Sequence, residues 1–218
     1  MNKIKSSYVI ESKINGIELL RQIEKVGRTC YKSEDKITDD SAIIFAKGLI
    51  KRGHEAMIEH NAISVRFICD RGVSHEIVRH RVASYGQEST RYCNYSNDKF
   101  NGEINVIDII QGIELDTKMS KLGPLEKRYI MDEWRLGIKS CEKRYMNMIA
   151  LGATPQIARS ILPTALKTEI VVTMNLREWR HFFKLRTEIV AHPQMRELTI
   201  PLLAEFKTLI PVIFDDIK

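Results

Sequence analysis

The chain has 218 residues, 44% hydrophobic and 28% charged, with a formal net charge of +6 and no acidic or basic tail. That length supports one sizeable core, and so one domain, while the composition excludes a disordered chain. No apolar run approaches the roughly 18 residues of a membrane helix, and the opening MNKIKSSYVIESKI lacks a signal peptide's apolar centre, so a cytoplasmic protein is expected. The positive charge points to an anionic partner, nucleic acid being one candidate, although dispersed lysines more often form a solvated face. Cys30, Cys69, Cys93 and Cys141 lie far apart, with neither zinc-ligand spacing nor a secreted disulfide framework, so reduced thiols and no metal are expected.

In chain order, GIELLRQIEKVGRTCY places Ile17, Leu20 and Ile23 at helical intervals after Gly16. TDDSAIIFAKGLIKRG has acidic residues early, basic ones late and a stop at Gly53, in keeping with the helix macrodipole. In NAISVRFICD, Ile63, Val65, Phe67 and Cys69 share one face, the alternation of a half-buried strand. The spacing predicts a helix over 72–81, then a loop, then a short strand in EINVIDII. Residues 118–151 read as helical with a break at Gly123-Pro124, and ATPQIARSIL offers Thr154 as cap and Pro155 as first helical residue. LKTEIVVTMN alternates as a core strand. NLREWRHFFKLR returns to the helical period, with Asn175 as cap and Glu178 in the reciprocal capping position. PQMRELTIPLLAEFKTLI is the last helix, and no repeat or linker interrupts the mixed α/β pattern, of α+β type.

Two constellations carry the chemistry. In a helix over 72–81, Glu76 shares a face with Arg79 and His80. Taken singly, Arg79, His80 and Arg81 are better explained as charge compensation at a helix end. The following SYGQESTRY adds Ser84, Gln87, Glu88, Ser89, Thr90 and Arg91, a mixture of forked donor, amide and hydroxyls suited to phosphate oxygens and a base edge. Ser89 is formally a nucleophile, but no G-x-S-x-G surrounds it, so binding or positioning ranks first. In the second constellation Leu176, Trp179 and Phe183 form an apolar stripe that continues to Arg186, placing a guanidinium on an inward face where it must meet an anion or several acceptors. Arg177 and His181 share another face, and Arg159 reads as an exposed helix arginine. His54 and His60, six apart, are not on one helical face and read as polar contacts rather than zinc ligands.

RHRVASYGQESTRY, residues 79–92, matches R-H-R-x-x-S-x-x-x-x-S-x-R-Y at every fixed position, the signature of the flavin-dependent thymidylate synthases, which this chain resembles. HEAMIEH upstream, and ARSILP and NLREWRHFFKLR downstream, agree in kind and order, so the resemblance covers His54 to about Glu197. It implies a homotetramer with active sites between subunits, each protomer a twisted, mainly antiparallel sheet flanked by helices. It also implies conversion of dUMP to dTMP, with 5,10-methylenetetrahydrofolate as carbon donor and NADPH supplying hydride through FAD. Carried over by position, the flavin would be held by Arg79, His80, Arg81, His54, Ala56, Gln87, Asn175, Leu176, Arg177 and His181. The dUMP set is Glu76, Arg79, Gln87, Glu88, Ser89, Thr90, Arg91, Arg159 and Arg186, with Arg186 facing the uracil and stabilising its electron-rich anion. Departures are glutamate at 76 and glutamine at 87 where some members have the reverse, Ala56 for a threonine, His181 for an asparagine, and a family histidine that meets His192 only with an insertion.

Two rival readings come from the residues themselves. One is a non-catalytic RNA- or DNA-binding module stacking bases on Tyr85, Tyr92 and Tyr95; the other is a nucleotide hydrolase using Ser89.

Overall fold

The computed structural model describes residues 1–218. Its main sheet has four strands in the order β2 (Ser7–Ile10), β3 (Ala62–Asp70), β6 (Lys167–Asn175), β4 (Ala83–Gln87), each antiparallel to its neighbour. The two long central strands pair over their full length, Ala62 opposite Asn175 and Asp70 opposite Lys167. This register puts Ile63, Val65, Phe67 and Cys69 on the same face as Thr168, Ile170, Val172 and Met174, all buried. A one-residue slip would move every one of them to the other face. On that other face Ser64 and Thr173 share a 2.7 Å hydroxyl contact, and Arg66 pairs with Glu11 and Glu169.

Helices α1 (Gly16–Thr29), α2 (Ser41–Arg52), α7 (Leu176–Arg186) and α8 (Pro193–Leu209) cover the apolar face and close a core of 28 buried residues. Its centre is aromatic: Trp179 stacks on Phe183 at 5.6 Å and meets Phe182 edge-on at 5.3 Å, while its Nε1–H donates to the Ile63 carbonyl at 3.1 Å. The buried indole thus keeps its polar handle satisfied. α2 ends at Gly53, whose φ of 70° is left-handed, the conformation that turns the His54 N–H back onto the Leu49 carbonyl at 3.0 Å.

A second, smaller core lies beyond the sheet. β1 (Asn2–Ile4) and β5 (Asn105–Ile107) pair in parallel, and α4 (Ile110–Leu115), the 27-residue α5 (Pro124–Ala150) and α6 (Pro155–Ala158) follow. Tyr95, Ile104, Val106, Ile138, Tyr145, Ala158 and Leu166 form it. No helix is long and apolar enough to cross a membrane.

The structure corrects four local expectations. The helix over 72–81 is α3 (Arg71–Ile77), and Arg79 and His80 lie in the turn beyond it, so they share no helical face with Glu76. The supposed loop contains β4, which has almost no apolar alternation because its backbone bonds to β6 hold it at the sheet edge. β1 and β2 went unread because neither carries a long enough pattern. Tyr95 is buried against Tyr145 and Phe100 and offers no stacking surface, and the Tyr85 hydroxyl is engaged by the Ile77 and His80 carbonyls.

Candidate active site

Arg186 is the last residue of α7, and its guanidinium turns toward α3 and the turn after it. Nη1 donates to Glu76 Oε2 at 2.7 Å, Nη2 to the Glu76 carbonyl at 2.9 Å and Nε to His80 Nε2 at 3.1 Å. Three of the five N–H groups are therefore occupied and two remain. His80 is buried; its pKa is pushed down to about 4, first by burial and then by Arg186 and His181, so the ring is neutral near pH 7. Its Nδ1 lies 3.1 Å from Glu178 Oε1, a hydrogen bond rather than an ion pair. Burial raises the Glu178 carboxyl above its ordinary range.

Glu178 marks a further correction. Asn175 Oδ1 accepts from the Glu178 N–H at 2.8 Å, as expected of a cap, but the Glu178 carboxylate goes to His80 instead of closing a reciprocal box.

Two cavities flank this frame. One, of about 530 Å³, is lined by Glu76, Arg79, His80, His181 and Arg186, with Leu185 and Val190 as its apolar edge. The other, of about 490 Å³, is lined by Asn175, Arg177, Glu178, His181, Lys184 and Val82, with Glu55 and Glu59 opposite. His181 borders both. The exposed cations Arg79, Arg177 and Lys184 at these mouths suit a charged cofactor's phosphates; only Arg177 is already paired, at the surface, with Glu59.

The remaining candidates sit elsewhere in the chain. Arg159 Nη1 donates to Thr90 Oγ1 at 3.3 Å, the Arg91 N–H reaches Ser89 Oγ at 3.3 Å, and the Arg91 guanidinium lies over the Tyr92 ring. Ser89, Thr90, Arg91 and Arg159 thus form a second group, and no hydrogen bond or ion pair joins it to Arg186 and His80. Glu88 is taken by Lys167 at 3.0 Å and by the Tyr95 hydroxyl. The Gln87 amide donates to Ser74 and Thr168, which occupies it within the protein. His54 and Ala56 line a third cavity, of about 630 Å³, with Phe45 and Met57. Leu176 is buried in the main core, Arg81 is exposed, and His192 caps α8 through Nδ1. Sequence reasoning missed Lys184 and gave Glu178 only a capping role; nothing local to α7 shows that His80 arrives beside it.

Residues 17–212 match the family model described as thymidylate synthase complementing protein, Thy1. Curated relatives are the flavin-dependent thymidylate synthases of Geobacter sulfurreducens, 31% identical over 87% of this chain and 78% of that protein, and of Pyrococcus horikoshii, 35% identical over 82% and 70%. Among solved structures, the UMP/dUMP methylase PolB from Streptomyces cacaoi, bound with 5-Br dUMP, superimposes with a TM-score of 0.80, covering 99% of this chain and 96% of that one. At 18% identity that likeness concerns the fold. The match over residues 17–212 and the relatives' identity place this chain in the Thy1 family, the flavin-dependent thymidylate synthases.

Proposed function

We propose that this protein converts dUMP to dTMP, replacing the C5 proton by a methyl group whose carbon comes from 5,10-methylenetetrahydrofolate and whose hydride originates in NADPH. The observation that carries this reading is Arg186: a guanidinium pinned by Glu76 and His80, with two N–H groups left, at the edge of an open cavity. Donors fixed toward the uracil oxygens and N3 favour the electron-rich ring and raise the nucleophilicity of C5. Because the guanidinium is already held, little reorganisation accompanies the reaction. A bound FAD supplies hydride-transfer chemistry; Arg79, Arg81, Asn175, Arg177 and His181 are the residues to hold it, with His54, Ala56, Gln87, Leu176 and His80, whose ring nitrogens are both engaged within the protein, as further members of the expected set.

Arg91, Arg159, Ser89 and Thr90 take the nucleotide phosphate, where a forked cation and hydroxyls complete an anion's shell. Glu76, Arg79, Gln87 and Glu88 complete the expected dUMP set, Gln87 only if it leaves Ser74 and Thr168 and Glu88 only if it leaves Lys167. Since this group is separate from Arg186 in one chain, a second copy completes each site, in a homotetramer of single-domain, cytoplasmic subunits. Exposed Leu185, Ile189 and Val190 beside the Arg186 cavity, and exposed Ile157 and Tyr92 beside the phosphate group, support such contacts.

The test is tritium release from C5-labelled dUMP, with and without folate, by protein whose absorbance shows bound flavin. Arg186→Ala is expected to lower release by at least ~100-fold while flavin stays bound. Release undiminished in that variant would remove Arg186 from the reaction. Phosphate release from dUMP without folate would instead revive the hydrolase reading for Ser89.

A further inference from the structure

Glu178 is not among the residues that the signature assigns to cofactor or nucleotide, yet it ends a continuous line of contacts leading to Arg186. Arg186 Nε carries a permanent proton, so the His80 Nε2 that it meets at 3.1 Å must accept. A neutral imidazole has a single N–H, which therefore sits on Nδ1 and donates to Glu178 Oε1 at 3.1 Å. The ring is further confined by Phe182, edge-on at 5.0 Å, and His181 at 5.4 Å. The His181 ring, Glu178 and His80 also bring three donor atoms within 4.8 Å of one another. With both His80 nitrogens engaged, that cluster has no lone pair on His80 to offer a metal ion. Glu178 faces the cavity of Arg177 and Asn175, Arg186 faces the other, and His80 stands between them.

We infer that Glu178 is a positioning residue: its carboxylate holds His80 in the Nδ1–H tautomer, and through that ring fixes the angle at which Arg186 presents its free donors. This rests on the proposed uracil role of Arg186. Without an acceptor at 178, the buried Nδ1–H is orphaned; a ring that turns over then sets a C–H, and one that changes tautomer an N–H, against the Arg186 N–H. The guanidinium then keeps only its Glu76 contacts and can pivot about them.

Glu178→Ala removes the acceptor, whereas Glu178→Gln keeps an oxygen for the Nδ1–H. In flavin-loaded protein, Glu178→Ala is expected to lower kcat for C5 proton release about tenfold or more and to weaken dUMP binding, with flavin still bound and the melting temperature lowered by only a few degrees. Glu178→Gln should recover most of the loss. In an Arg186→Lys background the alanine change should cost less than about twofold, because the frame it supports is already gone. The same cycle read as dUMP affinity, from the perturbation of flavin absorbance, gives an answer even where Arg186→Lys abolishes turnover. Equal losses in both backgrounds, or glutamine as damaging as alanine, would overturn the assignment. Wild-type protein that releases no C5 proton would sink the proposed reaction instead, and the affinity cycle would then decide the role of Glu178 by itself.

Discussion

At His80 a buried imidazole carries a protonation cost that is measurable on the whole protein. Its ordinary pKa is 6.5 and its folded value about 4, so between those limits the unfolded chain binds more protons than the folded one. Stability should therefore rise with pH through this window, by roughly 3 kcal/mol in total for the one group, and level off above pH 6.5. The raised Glu178 carboxyl has the opposite sign, since the folded state prefers its neutral form and gives up stability as pH rises past it. Urea titrations from pH 4 to 7 on wild type and His80→Asn separate the two, and the variant's curve should be shallower. An unchanged slope would mean that His80 is hydrated and protonated in the folded protein. What the sequence made legible here was residue type. Arg186 had to meet acceptors, and it meets Glu76 and His80; which of its neighbours would supply them depended on the turn that places residues 78–81, and no periodicity encodes that turn.

At the scale of elements, β3, β6, α7 and α8 were readable because long, strict periods leave only one way to bury their apolar faces. β4 and β1 were not, because edge and three-residue strands are specified by their partners. α7 also hides Arg180, fully buried between Trp179 and His181. Its Nη groups grip Asp216 at 2.6 and 2.8 Å and the Ile213 carbonyl, and Nε reaches Glu55 at 3.0 Å, so one side chain ties the 3₁₀ turn Glu55–His60 to the segment after α8. The α7 sequence alone contains neither carboxylate. Arg180→Ala should destabilise by about 2–3 kcal/mol, since it strips charge-assisted hydrogen bonds from Glu55 and the Ile213 carbonyl while the exposed Asp216 is rehydrated. Denaturant melts of the variant check this, and a loss under 1 kcal/mol would show the clasp to be solvated. Because Asp216 is held below the usual carboxylate range by Arg180, the clasp's contribution should be present above pH ~4 and fade as pH falls further.

Across the whole molecule the apolar rim at Leu185, Ile189 and Val190 and the split between the Arg186 and Arg159 groups point the same way: the protein should sediment as a tetramer, and Val190→Asp should shift it toward smaller species with a parallel loss of C5 proton release. A fully active monomer would contradict this. The split also follows the two cores. Arg186 and His80 sit on the large one of 28 buried residues, while Thr90 and Arg159 lie beside Tyr95 and Ala158 in the small one of seven. Seven buried side chains protect less than twenty-eight, so amide hydrogen exchange should open residues 93–166 well before the central sheet. A nucleotide gripped by its phosphate at one subunit's small core and by its base at another subunit's large core would act as a rivet between copies. Added dUMP should then slow exchange most in the weaker half, far from the ring that reacts.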